Sequence, residues 1–425
     1  MTFRLFMLST AAVGIVFAQS ALAEDQAAPA ATPAAAPAAP ASWASTLKVT
    51  GYVEAGVTAN AIHNSPGVNF GHLFTDKSNA VLLNQATLTV ERDIDSASKT
   101  VDFGFKVQGF YGSDARYTHF IGELDRSPTS RNQFDIVEAN LQVHLPIIGA
   151  GGMDVKLGQY STPLGVEVIS PAGNTFYSHS YIFNFGIPLK HTGILTTTHV
   201  NSKLDIYAGY DTGVNTSVGS RGGDQAGKFH FIAGFGLNLK NVTVIALTHI
   251  GPELPNGSLG VGVDVSGKYR YLTDANVTWK VTPKLTSITE VNYIKDDGFS
   301  ASGGGVAQYV TYAFNDHVSA AIRGELWRDS QGFYVAAFPG NLDFINVETG
   351  RANTSYGAGT ATYGAVTVGV TFKPAHLPKR LDGLMIRPEL RFDTALAGGL
   401  PFGGNPGVNK TQFTFGLDLV APIAF

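Results

Sequence analysis

The 425-residue chain contains no cysteine, so neither a disulfide framework nor thiol chemistry is available to it. It is also poor in charge, with 15% Asp, Glu, Lys and Arg, and its 29 basic residues against 33 acidic ones leave a slight negative balance that argues against a nucleic-acid partner. Beyond the N-terminal segment no run of about 18 apolar residues occurs, which excludes helical membrane spans. The mean hydropathy is nevertheless close to zero. Apolar residues must therefore be spread through the chain rather than gathered in runs, as they are in a membrane barrel, where they occupy every second position. Glycine (49), Phe (27) and Tyr (16) are abundant.

The start, MTFRLFMLSTAAVGIVFAQSALAED, has one basic residue, Arg4, a short apolar core, and Ala21-Leu22-Ala23 in small-x-small form. This pattern predicts a cleaved signal peptide over 1–23 and export from the cytoplasm. An Ala/Pro-rich stretch follows, densest at 27–41, and predicts a disordered periplasmic tether over 24–45; attachment to the cell wall or to a partner is its alternative. Residues 46–425 remain for a single domain.

From Leu47 onward a period of two recurs. Val101, Phe103, Phe105, Val107 and Tyr111 alternate with Asp102, Lys106 and Gln108, and similar segments follow to the end of the chain. Short links at 93–98, 146–152, 201–202, 240–241, 282–283, 315–316 and 374–382 alternate with longer Gly-, Asn- and Asp-rich loops. Those loops fall at 59–80, 112–134, 161–191, 211–227, 251–267, 296–304, 328–361 and 394–410. The count predicts an all-β, transmembrane, antiparallel up-and-down β-barrel of about sixteen strands. The sixth, twelfth and fourteenth strands are weakly marked, which leaves fourteen or eighteen open. A soluble multi-domain β protein is the rival fold. Against it, Tyr111, Tyr210, Tyr269, Tyr271, Trp279, Tyr293, Tyr312, Phe372, Phe392, Phe413 and Phe425 share the apolar face and mostly sit near strand ends, as interfacial girdles require.

The C-terminal TQFTFGLDLVAPIAF is two-faced: Phe413, Phe415, Leu417, Leu419, Ala421, Ile423 and Phe425 fall on the apolar side. An exposed apolar edge would aggregate, so this strand is expected to close the barrel against the first one. Phe413, Phe415 and Phe425 would form the signal read by the outer-membrane assembly machinery.

The polar face carries the functional candidates. Lys106, Arg270, Glu290, Arg323, Glu325, Arg387, Glu389 and Arg391 have lumen parity and are expected to line the pore. A sixteen-stranded barrel is too wide for side chains alone to fill. The thirteenth and fifteenth strands, IRGELWRD and IRPELRFD, place Arg323 with Glu325, and Arg387 with Glu389 and Arg391, at i and i+2. Such rows could set a transverse field across a constriction; structural ion pairs within the wall are the alternative. The third long loop, STPLGVEVISPAGNTFYSHSYIFNFGIPLKH, carries Pro163, Gly165, Phe176, Tyr177, Tyr181, Phe183 and Phe185. A loop this apolar is unstable in water, and it is expected to fold inward and narrow the lumen; capping the barrel from outside is the alternative. No G-x-S-x-G, H-E-x-x-H or clustered metal spacing is present, and the GVGVDVSG and GGG stretches read as glycine loops, so neither an enzyme, a metal nor a cofactor is expected.

The stretch GQYSTPLGVEVISPAGNTFYSHSYIFNFGIPLKHTGI, with RGELWRDSQG and RPELRFD, resembles the putative beta-barrel porin-2 family of OmpL-like porins. The resemblance implies a Gram-negative outer-membrane barrel with a pore function, and it supplies no substrate and no site residue. The resulting expectation is a water-filled channel for passive diffusion of small hydrophilic solutes and ions. It would contact the bilayer and lipopolysaccharide, and a homo-trimer is suggested by analogy with wide porins. The rivals are a plugged structural or adhesive barrel and a lipase-like barrel using Ser178 and His179.

Overall fold

Alternation of apolar and polar residues gives each strand one face for a solvent of each kind, and the computed structural model shows how those faces are arranged. It describes residues 43–61, 67–126, 130–217, 228, 230–253 and 267–424. The proposed signal peptide and nearly all of the Ala/Pro tether lie outside the described residues, as do most of GVGVDVSG and Phe425.

The strands are β1 (Lys48–Asn60), β2 (Val81–Arg92), β3 (Asp102–Gly112), β4 (Gln133–Leu145), β5 (Met153–Ser161), β6 (Lys190–Asn201), β7 (Leu204–Asp211), β8 (His230–Asn238) and β9 (Val242–Gly251). They continue with β10 (Arg270–Lys280), β11 (Leu285–Asp296), β12 (Ala301–Ala313), β13 (Val318–Asp329), β14 (Ala336–Ala337), β15 (Tyr356–Gly357), β16 (Ala361–Phe372), β17 (Met385–Ala397) and β18 (Thr411–Ala424). Among the described residues, sixteen of these form one closed antiparallel barrel, while β14 and β15 make a two-residue ladder inside a loop. The barrel closes as β18 pairs with β1, from Thr50 opposite Ala424 to Asn60 opposite Thr414. The C-terminal strand is thus paired on both sides, with β17 as its other neighbour, and every strand edge is satisfied.

Parity separates outside from inside. Phe103, Val107, Tyr111, Leu141, Tyr293, Leu326, Val366, Phe392, Phe413 and Phe415 are exposed on the outer face. Outward aromatics gather near both ends: Tyr111, Phe231, Tyr271, Tyr293 and Phe413 toward the end bearing the long loops, and Tyr312, Phe314 and Phe372 toward the end bearing the short turns. The buried apolar core lies inside the barrel. Val68, Phe70 and Phe74 of the first long loop, Tyr117 of the second, Phe176, Tyr181 and Phe183 of the third, and Phe338 and Phe402 of the last two form one cluster with inward wall residues such as Tyr309, Trp327 and Tyr363.

Two expectations change. The GGG stretch, Gly303–Gly305, lies inside β12, and the link before it is only Asp297–Ser300 rather than a long loop over 296–304. The reason is steric. A Cβ on Gly303 would lie 3.1 Å from Trp327 Cζ2, and one on Gly305 would lie 3.0 Å from Trp327 Cε3 and 2.2 Å from Leu326 O. The glycines clear the inner wall so that the buried Trp327 ring can lie across it. Turn chemistry and a close approach both select glycine, and one sequence does not tell them apart.

Gly305→Ala should therefore push β12 from β13 and displace Trp327, costing roughly 1–3 kcal/mol as overpacking does. The check is the temperature at which the folded, heat-modifiable form is lost on a gel; an unchanged temperature would contradict this account of the glycine run.

Candidate functional site: a loop held in the lumen

A backbone without regular pairing is costly to bury unless each N–H and C=O finds a partner. The third long loop, residues 162–189, meets that requirement inside the barrel. It turns at Gly165, whose φ of +87° suits glycine, makes a short 3-10 turn at Pro171–Gly173 and a π turn at Ile182–Gly186. Phe176, Tyr177, Tyr181 and Phe183 are buried, and Phe185 packs half-buried beside them. Pro163 and Gly165 keep partial exposure where the loop leaves β5. The buried rings of Phe176, Tyr181 and Phe183 join the apolar cluster formed with inward wall residues.

The charged rows of β13 and β17 supply the partners. Arg323 Nη1 donates to Ser178 O at 2.8 Å and to Glu167 Oε1 at 2.6 Å, and its Nε donates to Glu325 Oε1 at 3.1 Å. Arg387 Nη1 donates to Pro171 O at 2.7 Å and to Asn174 O at 2.8 Å, while its other nitrogens pair with Asp418. Arg391 Nη1 donates to His179 O at 2.6 Å, with Asp393 on its far side at 2.7 Å. The carboxylates take the opposite role. Glu389 accepts from the N–H of Tyr177 (2.9 Å) and of Ser178 (3.1 Å), Glu325 from Tyr181 N–H (2.7 Å), and Glu290 from Val166 N–H (2.9 Å). Arginines therefore hold the loop's carbonyls and glutamates its amides. The loop's rings complete the contact: Arg323 lies 5.2 Å from the Phe176 ring centre and Arg391 lies 5.3 Å from that of Tyr181.

Of the eight residues expected to line a pore, six are thus buried: Glu290, Arg323, Glu325, Arg387, Glu389 and Arg391. They face the lumen but touch the loop rather than open solvent. The arrangement matches neither a bare field across water nor pairing within the wall alone, because the pairing partner is a third element. The other two stand apart: Lys106 pairs with Glu91 at 3.4 Å on the wall, and Arg270 with Asp296 at 2.9 Å at the loop end. Partly exposed lumen-side residues occur on many strands toward the short-turn ends; those that carry charge include Lys106, Lys156 and Asp205, with Gln108 and Gln142 beside them, on β3, β4, β5 and β7.

Glu167 was not singled out from the sequence, although an acidic residue within so apolar a loop is a signal. Burial disfavours its charged form. The Arg323 guanidinium, His179 and the Ser180 N–H outweigh burial and hold the carboxyl at about 2. His179 is itself held below its ordinary value by burial, with Glu167 acting in the opposite direction. Ser178 and His179 both lie buried within the lumen, away from the lipid face that a lipase-like site would need. A second tie joins three loops: Asp76 of the first pairs with Arg116 and Arg131 of the second, each at 2.8 Å, and Arg116 also donates to Phe338 O and Gly340 O of the seventh.

Two outcomes follow. Arg391→Met leaves His179 O, Glu325 and Asp393 short of a buried cation, and breaking such a set costs about 3–5 kcal/mol. The loop should become cleavable by chymotrypsin while the barrel stays heat-modifiable; a protected loop would contradict the anchoring role. Because Glu167 titrates lower in the folded than in the unfolded chain, its contribution is complete above about pH 4.3 and fades as pH falls toward 2. In a Trp43→Phe, Trp279→Phe background, Trp327 emission should hold steady from pH 7 to 5 and shift red below pH 4. The same profile after Glu167→Gln would refute the assignment.

Among solved structures the fold is similar to an anion-selective porin from Comamonas acidovorans, with 10% identity, 89% of this chain and 99% of that chain covered, and a TM-score of 0.53. It is likewise similar to OprB of Pseudomonas putida at high pH (13%, 89% and 94%, 0.51) and to the outer membrane channel DcaP of Acinetobacter baumannii (10%, 89% and 97%, 0.50). At such identities the likeness speaks for the fold. No curated protein sequence matches the chain. Residues 46–423 match the family described as putative beta-barrel porin-2, OmpL-like. A closed sixteen-stranded barrel, an apolar outer belt and a family match over nearly the whole barrel place the chain in that family, as an outer-membrane porin.

Proposed function

We propose that the protein conducts small hydrophilic solutes and ions down their gradients along the arc of β3, β4, β5 and β7, with the third loop as the constriction. The observation that carries this reading is the asymmetry of the lumen. The charged rows of β13 and β17 are buried against the docked loop, whereas Lys106, Lys156 and Asp205, with Gln108 and Gln142, stay partly exposed on β3, β4, β5 and β7. A path bearing both signs passes polar solutes without strong selection by charge. The protein would act without catalysis, after export by a signal peptide over 1–23. Phe413 and Phe415, exposed on the outer face of β18, together with Phe425 would present the assembly signal. Lipopolysaccharide contact and a homo-trimer belong to the same proposal.

Ion current across a planar bilayer tests it, on the purified full chain and on a variant lacking residues 165–185. Stepwise conductance that grows in the variant is expected. A silent wild type beside a conducting variant would make the native barrel plugged, and silence from both, with folding verified, would overturn the channel reading.

A further inference from the structure

Apart from the anchors of the third loop, a second set of buried polar side chains gathers where β6 to β9 reach the loop end. His191 comes from β6, Asp211 from the last position of β7, His230 from the first of β8 and His249 from β9; Glu253 follows β9 by two residues. Antiparallel pairing brings them level, with Asp211 directly opposite His230 and Ile232 opposite His249. All five are buried. Asp211 Oδ2 lies 3.0 Å from His191 Nδ1 and 3.2 Å from His249 Nε2. One ligand atom from each of these three residues falls within 4.8 Å of the others.

The outer nitrogens of the two rings decide what the inner ones can do. His249 Nδ1 faces Glu253 Oε1 at 3.5 Å. No hydrogen bond joins those two buried atoms and each lacks a partner among the described residues, whereas His249 Nε2 lies within hydrogen-bond distance of both Asp211 oxygens. An Nε2–H donated to Asp211 satisfies that contact but leaves His249 Nδ1 and Glu253 Oε1 facing each other unpaired; a cation in place of that proton frees Nδ1 to carry one toward Glu253. His191 Nδ1 points to the same Asp211 oxygen, and its Nε2 lies 3.0 Å from Thr162 Oγ1, which can accept from that nitrogen when Nδ1 is a ligand. Tetrahedral zinc with ligand bonds of about 2.0–2.1 Å sets neighbouring donor atoms roughly 3.3 Å apart; the two Asp211 contacts, at 3.0 and 3.2 Å, are already near that spacing, and all three ligand atoms lie within 4.8 Å of one another. A ligating histidine whose other nitrogen is fixed by a carboxylate or another acceptor is the usual outer arrangement of such sites. A dication would also offset the buried charges of Asp211 and Glu253.

We infer that His191, Asp211 and His249 bind one divalent cation of zinc-like chemistry, with Glu253 and Thr162 orienting the two imidazoles. The site would tie together both feet of the third loop, since Thr162 stands at its start and His191 two residues past its end. Spacing in the sequence hid the cluster, because its members come from three strands with no short motif among them.

The test uses the full chain, folded in detergent, stripped with a chelator and titrated calorimetrically with zinc chloride, with cobalt(II) absorption as a second readout. One zinc per chain and the visible bands of tetrahedral cobalt are expected. Binding should be lost in His249→Ala and Asp211→Asn, weakened about 10–100-fold in Glu253→Gln, and unchanged in His317→Ala, which alters an exposed turn histidine. Heat-modifiable migration identifies variants that have folded. If a ligand variant does not fold, the Glu253→Gln affinity and the wild-type cobalt spectrum still decide. No binding by the wild type, or equal binding by folded His249→Ala, would overturn the site and leave an imidazolium–carboxylate cluster in its place.

Discussion

The interior of this barrel depends on one constraint: irregular backbone taken out of water must still be hydrogen-bonded. A sixteen-stranded wall encloses more space than its own side chains fill, and the third loop enters that space without forming a strand or a full helix. Its carbonyls at Pro171, Asn174, Ser178 and His179 go to three arginines, and its amides at Val166, Tyr177, Ser178, Ser180 and Tyr181 go to glutamates. The wall thus provides, with charged side chains, the donors and acceptors that a neighbouring strand would provide with backbone.

Desolvating so many charges is costly, and the structure offsets the cost of the three arginines by placing each between two carboxylates. Arg391 lies between Glu325 and Asp393, Arg387 between Glu54 and Asp418, and Arg323 between Glu167 and Glu325. Small residues make room for the docked rings. A Cβ on Gly56 of β1 would fall 2.5 Å from the Tyr177 ring, and one on Gly186 would fall 2.9 Å from Trp327. Electrostatics and packing therefore act on the same loop from one run of neighbouring strands, β13 to β1 through β16, β17 and β18.

The fold was legible because strand parity is a local property. The outward Phe103, Val107 and Tyr111, and the pairing of the last strand with the first, follow from period two and from the need to leave no edge unpaired. Lumen parity was legible for the same reason, and it identified Arg323, Glu325, Arg387, Glu389 and Arg391 as inward. What they touch was not, because that depends on the path of a loop more than 130 residues away in the chain. The loop's apolar content foretold that it packs. It gave no hint that its main chain, as well as its side chains, would be a surface the wall grips. Gly303 to Gly305 misled for a related reason: the ring that requires them, Trp327, belongs to the next strand.

That grip on the main chain has a consequence for how freely this loop can change. An anchor that reads carbonyls and amides is indifferent to residue type, so the stretch from Pro171 to Tyr181 is open to wide variation at the positions whose rings do not seat against the wall. The prohibition falls on proline at 177, 178, 180 and 181, where it would delete an amide that a glutamate already holds. Tolerance in the segment is thereby concentrated at its exposed positions, Ala172 and Gly173, while the buried run 176–181 and the distant strand positions 323, 325, 387, 389 and 391 are constrained. A lineage could remodel the bore by exchanging loop side chains while the same five wall residues kept the loop in place.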